Sequence, residues 1–396
     1  MKKVVYLTAL GKAYARSGME AGADILRLVT AMNAGAETLG WRAAAVARYE
    51  KPRIFTPERE AMPAPELAPT QDFFRGLKDF KARLDFAGIV RAYAAKLEEY
   101  GPELEQADLV HAWDTPAVVA FKKMSEGWLI KKPLLFTPEA VFCSPRPHWL
   151  DTQRRLVLDT VDALVLPGAW ACAAITDEFG FKRKCHTLPR GIEDFKYLRK
   201  GRIRAELGLK DTDILVCAMG RLSRESGFKS LVDAMRLALK KKPEGLYCAI
   251  AGAGQEEGAL RSRVAELGLE DRVKLLGFRQ DAGELMADAE IFAAPALKTM
   301  SDQGVIEAMR AGLAVISSDA GGNPEALGWG QAGLLVPPGD PGALADALLR
   351  VAGSPKELVY LSARAREFYS KTHSLQALAS GAARIYNSVC ARHESC

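Results

Sequence analysis

The sequence predicts an α/β protein made of two doubly wound, Rossmann-like domains. Three observations carry this. Short apolar, β-branched segments alternate with longer Ala-, Leu-, Arg- and Glu-rich segments of helical period, the pattern of parallel strands joined by crossover helices. The alternation begins at Val4, breaks over the charged, turn-rich stretch Leu188–Leu209, and restarts at Ile214. The 396 residues are also enough for two domains of ordinary size.

Taken in order, Val4–Thr8 is the opening strand, followed by a glycine-containing loop (Ala9–Gly18) and a helix over Met19–Leu39. Trp41–Ala47, Leu109–Trp113, Pro133–Phe136 and Ala163–Leu166 continue the strand series. The second series has strands at Ile214–Met219, Leu246–Ala251, Val273–Leu276, Ile291–Ala294, Ala314–Ser317 and Gly333–Val336. Its helices are expected over Gly227–Lys240, Gly258–Leu267 and Val305–Ala311. The expected domains are residues 1–192, joined by a returning helical segment in 375–396, and residues 193–374. Sheets of this kind bind ligands at the carboxyl ends of their strands, and the two are expected to face each other across a cleft. Within Gln71–Tyr100, Phe73, Leu77, Phe80 and Leu84 recur at helical spacing beside Arg75, Lys78, Lys81 and Arg83. Such a stretch either packs on its own domain or docks on a membrane surface.

Composition narrows the classes. Hydrophobic residues at 48% and charged residues at 26% exclude wholesale disorder. A net charge of +5 is too mild to demand a nucleic-acid partner, and it suits anionic small ligands or loose attachment to an anionic membrane. No uncharged run reaches the roughly 18 residues of a membrane span. Lys2 and Lys3 precede an apolar run, but Gly11 and Lys12 end it too soon for a signal peptide, so a first strand is the better reading. The seven cysteines include no CxxC pair and histidine is scarce. A disulfide framework and a zinc site are therefore not expected, and a reducing cytoplasm is.

Chemistry concentrates in Pro295–Leu327. A strand runs into the polar loop Thr299–Gly304 and then a helix, whose positive end is a natural seat for a diphosphate. Glu307, expected in the first turn, is placed to accept hydrogen bonds from ligand hydroxyls, although a carboxylate there equally serves the helix dipole. The run Glu307-Ala308-Met309-Arg310-Ala311-Gly312-Leu313-Ala314, with the turn Gly321-Gly322-Asn323-Pro324-Glu325, resembles the donor-site motif of the retaining family 4 glycosyltransferases, which have the two-domain GT-B fold. Met219-Gly220-Arg221-Leu222 with Gly227, Leu275-Leu276-Gly277-Phe278, Leu188-Pro189-Arg190-Gly191-Ile192 and Gly333–Asp340 resemble further family segments in the same order.

The resemblance implies a nucleotide-diphosphate sugar as co-substrate, with no metal or other cofactor, and a glycan or lipid-linked acceptor. It implies that Arg221 compensates the departing diphosphate and that Gly277 and Phe278 lie against the base. Gly304 and Glu307 would hold diphosphate and ribose, and Thr299 and Asp302 would face the sugar. Ser17, Gly18, Glu139 and His111 would line the acceptor side, with His111 also a candidate for catalysis. The chain departs from the pattern in several places. Ser226 stands where the family has a Lys, leaving Lys229 as the nearest replacement; Thr299 stands where the family has an acid, with Asp302 in the same loop. A family His after the strand at Phe136 is absent, and Ser17 replaces a Gly. A catalytically weakened binding or regulatory protein on the same fold therefore stays open, as does a sugar-nucleotide epimerase. A nicotinamide- or flavin-dependent oxidoreductase has only Ala251-Gly252-Ala253-Gly254 for support, with Glu257 where GxGxxG needs its third glycine.

Overall fold

The computed structural model describes residues 1–8, 21–47, 86–128, 132–138, 149–181, 183–194, 198–241, 244–298 and 303–393. They form two compact units, one of residues 1–190 with 375–396 and one of residues 191–374.

The first unit holds strands β1 (Lys2–Thr8), β2 (Trp41–Ala47), β3 (Leu109–Ala112), β4 (Leu134–Phe136), β5 (Ala163–Leu166) and β6 (Lys184–Thr187). All pair in parallel in the order β2-β1-β3-β4-β5-β6, so the strand order reverses between β1 and β3. Its helices are α1 (Ala21–Ala34), α2 (Ala36–Leu39), α3 (Phe86–Glu98), α4 (Gly101–Glu105), α5 (Thr115–Trp128), α6 (Trp149–Thr160) and α7 (Ala169–Phe179). The helix expected over Met19–Leu39 is two helices broken at Gly35, a residue with weak helical preference. The final helix, Leu375–His393, belongs to this unit. Its Leu378, Ala382 and Tyr386 pack with Leu28 and Met32 of α1 and with Tyr6 and Val4 of β1.

The second unit holds α8 (Arg202–Glu206), β7 (Ile214–Met219), α9 (Phe228–Lys241), β8 (Leu246–Ala251), α10 (Glu257–Glu266), β9 (Val273–Gly277) and α11 (Ala282–Asp288). It continues with β10 (Ile291–Ala294), α12 (Gln303–Ala311), β11 (Ala314–Ser318), α13 (Asn323–Ala326), β12 (Leu334–Val336), α14 (Pro341–Ala352) and α15 (Pro355–Thr372), leaving Leu375–His393 as α16. The sheet is again all parallel, in the order β12-β11-β10-β7-β8-β9. Alternate residues of each strand feed two cores, as a sheet covered on both faces requires. Val216, Ala218, Cys248, Ile250 and Ile316 meet α9, α10 and α14 on one face. Leu215, Cys217, Ala249, Phe292 and Val315 meet α11, α12 and α15 on the other.

Two expectations need correction. The stretch Leu188–Leu209, which interrupts the alternation and reads by sequence as a linker, holds helix α8. Arg204 of α8 is buried, donating to Asp288 O at 3.1 Å and Asp213 O at 2.6 Å, while Asp288 accepts from Gly201 and Ile203 amides at 2.9 Å. Polar anchoring, invisible to an apolar pattern, makes this turn. The second correction concerns cysteine: Cys172 and Cys185 form a disulfide between α7 and β6. Strand β6 (Lys-Cys-His-Thr) has no apolar alternation, so neither the strand nor the neighbour it gives Cys172 was legible. Among the described residues, no helix is long and apolar enough to cross a membrane.

Candidate functional site

In the second unit, β8 and β9 extend to one side of β7, and β10, β11 and β12 to the other. The order therefore reverses between β7 and β10, and at such a point the loops leaving two adjacent strands diverge and open a crevice at their carboxyl ends. The loop after β7 carries Arg221, and the loop after β10 leads to α12. The two loops are joined: the Leu297 amide donates to Glu225 O at 2.7 Å. Gly227, at φ +70, lies so close to Pro295 that a Cβ there would overlap the Pro295 carbonyl. Sequence-distant residues are thus held in one fixed pair of loops.

The Arg221 loop is shaped from its other side by β8. Gly220 N donates to Ala251 O at 3.1 Å and Leu222 N to Ala253 O at 3.0 Å. A Cβ on Gly252 would strike Gly220 O, and one on Gly254 would strike Leu222 O. These glycines are needed for the close approach of two backbones. That accounts for Ala251-Gly252-Ala253-Gly254 without a dinucleotide and removes the oxidoreductase reading's only support. The Ser226 hydroxyl donates to Arg221 O at 2.6 Å and lies 3.2 Å from Ser223 Oγ. Where the family pattern has a cation, this chain has a latch on the Arg221 backbone. The Arg221 side chain itself is exposed. Glu225, on the same loop, is held below the ordinary carboxylate range by its own backbone amide and the Ser223 hydroxyl, then by the charges of Arg224 and Arg221.

Helix α12 starts at Gln303, two residues earlier than expected, so Glu307 lies in its second turn and not its first. Its carboxylate accepts from Gln303 Nε2 at 3.0 Å and is half-buried. Val305, Ile306, Ala308 and Met309 bury the other side of the helix, which fixes the tip, with Gly304, toward the carboxyl edge. The loop before it is pinned to β11, since Ser318 Oγ donates to Ala296 O. Thr299 and Asp302 lie outside the described residues.

At the far edge, β9 ends at Gly277, whose φ of +68 turns the chain and whose carbonyl accepts from Gly252 N at 2.8 Å. Phe278 follows and is 45% exposed, so one face of its ring is open to a ligand. Its neighbour Arg279 is clamped by Glu206 at 2.6 and 2.9 Å and by Asp281 at 2.7 and 2.8 Å. The guanidinium holds the Asp281 carboxyl down to about 2. Arg279 thus fixes the backbone that presents Phe278. Sequence reasoning missed this residue, although an Arg flanked by Gln280-Asp281 directly after Gly277-Phe278 was a visible signal.

Two site candidates do not join this group. Lys229 is the second residue of α9, and its ammonium points along the helix to Asp233, 3.9 Å away and also bridged by Arg263. Helical geometry sends it to the surface of α9, so it does not replace the missing cation. His111 is fully buried in the first unit. Its Nδ1 lies 2.9 Å from Tyr386 Oη and its Nε2 2.9 Å from Thr137 Oγ1, whose own hydroxyl donates to Val165 O at 3.0 Å. That order fixes the proton on Nε2, with Nδ1 accepting from Tyr386 and Tyr386 accepting from Tyr6 at 2.7 Å. Burial lowers the ring to about 3. His111 is a neutral core residue tying α16 to β3 and β4, and the expectation of a catalytic His111 is withdrawn. Ser17, Gly18 and Glu139 lie outside the described residues, as do Phe73, Leu77, Phe80 and Leu84.

Two doubly wound domains, with a fixed loop pair at a switch point, define the class of fold called GT-B. Residues 199–368 match the family described as glycosyl transferases group 1. It is similar to the amylovoran biosynthesis glycosyltransferase AmsK of Erwinia amylovora, 33% identical over 194 residues, covering 46% of each chain. Against the mannosylfructose-phosphate synthase of Agrobacterium fabrum it is 26% identical over 264 residues, covering 58% of this chain and 57% of that one. Against the lipopolysaccharide core biosynthesis mannosyltransferase LpsB of Rhizobium meliloti it is 24% identical over 325 residues, 76% of this chain and 91% of that one. The matched region thus spans about half the length of the first two relatives. Among solved structures, a sucrose-phosphate synthase from Thermosynechococcus elongatus superimposes with a TM-score of 0.69 at 20% identity, covering 99% of this chain and 100% of that one. HepE from Anabaena, in complex with UDP, gives 0.68 at 18% identity, with 98% and 100% covered.

Proposed function

We propose that the protein is a glycosyltransferase that moves a sugar from a nucleotide-diphosphate sugar to a glycan or lipid-linked acceptor, with retention of configuration, in cell-surface polysaccharide or lipopolysaccharide synthesis. The observation that carries this is the hydrogen-bonded pair of loops at the β7–β10 switch point, which brings Arg221 and the tip of α12 to neighbouring strand ends. As the sugar–phosphate bond breaks, charge accumulates on the leaving diphosphate. A guanidinium and the positive end of a helix stabilise that charge more than they stabilise the intact donor, which is what catalysis requires. No metal takes part in this reading. Strands are spaced about 4.8 Å apart, so Phe278, beyond the second strand from β7, lies roughly 10 Å along the edge, where an exposed ring can stack on the base. Glu307, braced by Gln303, accepts from the ribose, and Thr299 and Asp302 remain the proposed contacts to the sugar. Ser17, Gly18 and Glu139 remain the proposed acceptor side. The names of AmsK and LpsB support the acceptor class.

Incubation with labelled sugar nucleotides, with and without glycan and lipid-linked acceptors, tests the proposal: transfer to an α-configured product is expected from an α-linked donor. No turnover and no nucleotide binding by calorimetry would overturn it. The weakened reading has one specific observation behind it, the Ser226 latch in place of a cation. If that reading holds, nucleotide binds without turnover and Ser226→Lys raises turnover. Measurable turnover by the unaltered chain excludes it.

A further inference from the structure

The first unit contains a cavity of about 230 Å³ that the proposed transfer reaction does not use. It lies at the amino ends of β5 and β6, beside the last turn of α16, and its wall includes Asp162, Lys184, His186, Val389, Arg392 and His393. The strand ends that serve ligands in this class of fold are the opposite, carboxyl ends, and the residues proposed to hold the donor are all in the second unit. Lys184 and His186 are two apart on β6 and so project from the same face of the sheet, the face that carries Val389 and Arg392.

Charge on this wall is unbalanced. Among the described residues, neither Lys184 nor Arg392 has an ion-pair partner. Among the described lining residues Asp162 supplies the one carboxylate, and that group is engaged: its Oδ2 accepts from Leu134 N at 2.8 Å and lies 3.6 Å from His393 Nε2. His186 adds a second, independent observation, because its Nε2 is buried with no hydrogen-bond partner among the described residues. A buried polar atom left unpaired costs about 1–3 kcal/mol, so its persistence calls for a partner. His186 is held below its ordinary value by burial first, then by the charges of Lys184 and Arg392, so the three groups share one electrostatic environment.

We infer that this cavity is an anion site for a phosphate group, held by Lys184, Arg392 and His186. A point charge, a planar fork of donors and an imidazole together present donors for the several oxygens of a phosphate, more than a single carboxylate offers. The same chemistry is supplied by free phosphate and by a phospholipid headgroup.

The test uses the full chain with ¹³C-labelled histidine, the His186 signal being assigned by His186→Gln. Inorganic phosphate is titrated against chloride at matched ionic strength. A saturable shift of the His186 signal is expected, with an affinity at least tenfold weaker in the Lys184→Ala/Arg392→Ala double variant. Both of those side chains are exposed, so the variant keeps its fold, checked by thermal unfolding, and its donor turnover. Sedimentation with phosphatidic acid in phosphatidylcholine vesicles then separates the sources. Vesicle binding by the wild type alone assigns the site to a lipid headgroup, and phosphate binding without vesicle binding assigns it to soluble phosphate. An identical shift in chloride, or a double variant that titrates and sediments like the wild type, overturns the inference. Because donor turnover is read separately, its failure would not be confused with failure of the transferase proposal.

Discussion

The contact between Gly227 and Pro295 makes a sharp prediction, because it is where the two site loops touch. Replacing Gly227 by Ala has two effects. The residue sits at φ +70, where an L side chain costs about 1–2 kcal/mol. The new Cβ would also fall far inside the 3.0 Å that Cβ atoms keep from other atoms, and the obstacle is the Pro295 backbone, not a side chain that can swing away. The loop after β10 must retreat by about 1 Å or more, and a displacement of that size at a catalytic group costs on the order of a hundredfold in rate. Gly268→Ala is the control, since Gly268 has φ +63 but nothing within 4 Å of its would-be Cβ. Thermal unfolding and donor turnover are measured for both. Gly268→Ala should lose about 1–2 kcal/mol and keep kcat/KM within about twofold. Gly227→Ala should lose at least as much stability and about a hundredfold in kcat/KM. A folded Gly227→Ala variant with wild-type turnover would refute the claim that this loop pair forms the site.

Three other outcomes follow from the same geometry. Arg221→Ala should lower kcat by about 10²–10³ while leaving stability within about 0.5 kcal/mol, because the side chain is exposed; an unchanged kcat contradicts its role. Lys229→Ala should leave turnover unchanged and cost no more than about 0.5 kcal/mol, since it gives up only a surface pair with Asp233; a large loss of kcat would return Lys229 to the site. His111 is lowered to about 3 from 6.5, so between those values the unfolded chain binds a proton that the folded chain refuses. Its contribution is complete above pH 6.5 and declines by about 1.4 kcal/mol per pH unit as pH falls toward 3, so His111→Gln should flatten the pH dependence of chemical denaturation in that window.

The architecture was legible because both sheets are buried on two faces, which forces continuous apolar strands such as Ile214–Met219 and Ile291–Ala294 to stand out. Edges and polar anchors were not. Strand β6 carries Lys, Cys, His and Thr, and the sequence offers nothing that separates it from a loop; the disulfide it makes possible was hidden with it. Helix α8 is held by Arg204 and by Asp288, and Asp288 lies more than 80 residues further along the chain. Within the site, the pattern around Arg221 and Glu307 was visible, but the reason for each residue often was not. Gly252 and Gly254 looked like half of a nucleotide motif and prove to be spacers for a neighbouring backbone. His111 looked like a strand-end ligand, and only Tyr386, 275 residues later, shows that its ring is fully engaged in the core.

The proposed transfer rests on a diphosphate bound where the loops after β7 and β10 meet. Hydrogen–deuterium exchange of the full chain, with and without a nucleoside diphosphate, tests it most directly. Slowed exchange is expected in residues 220–227 and 303–307, and it is lost in Arg221→Ala. Protection confined to other segments, or protection there that Arg221→Ala leaves intact, would contradict it.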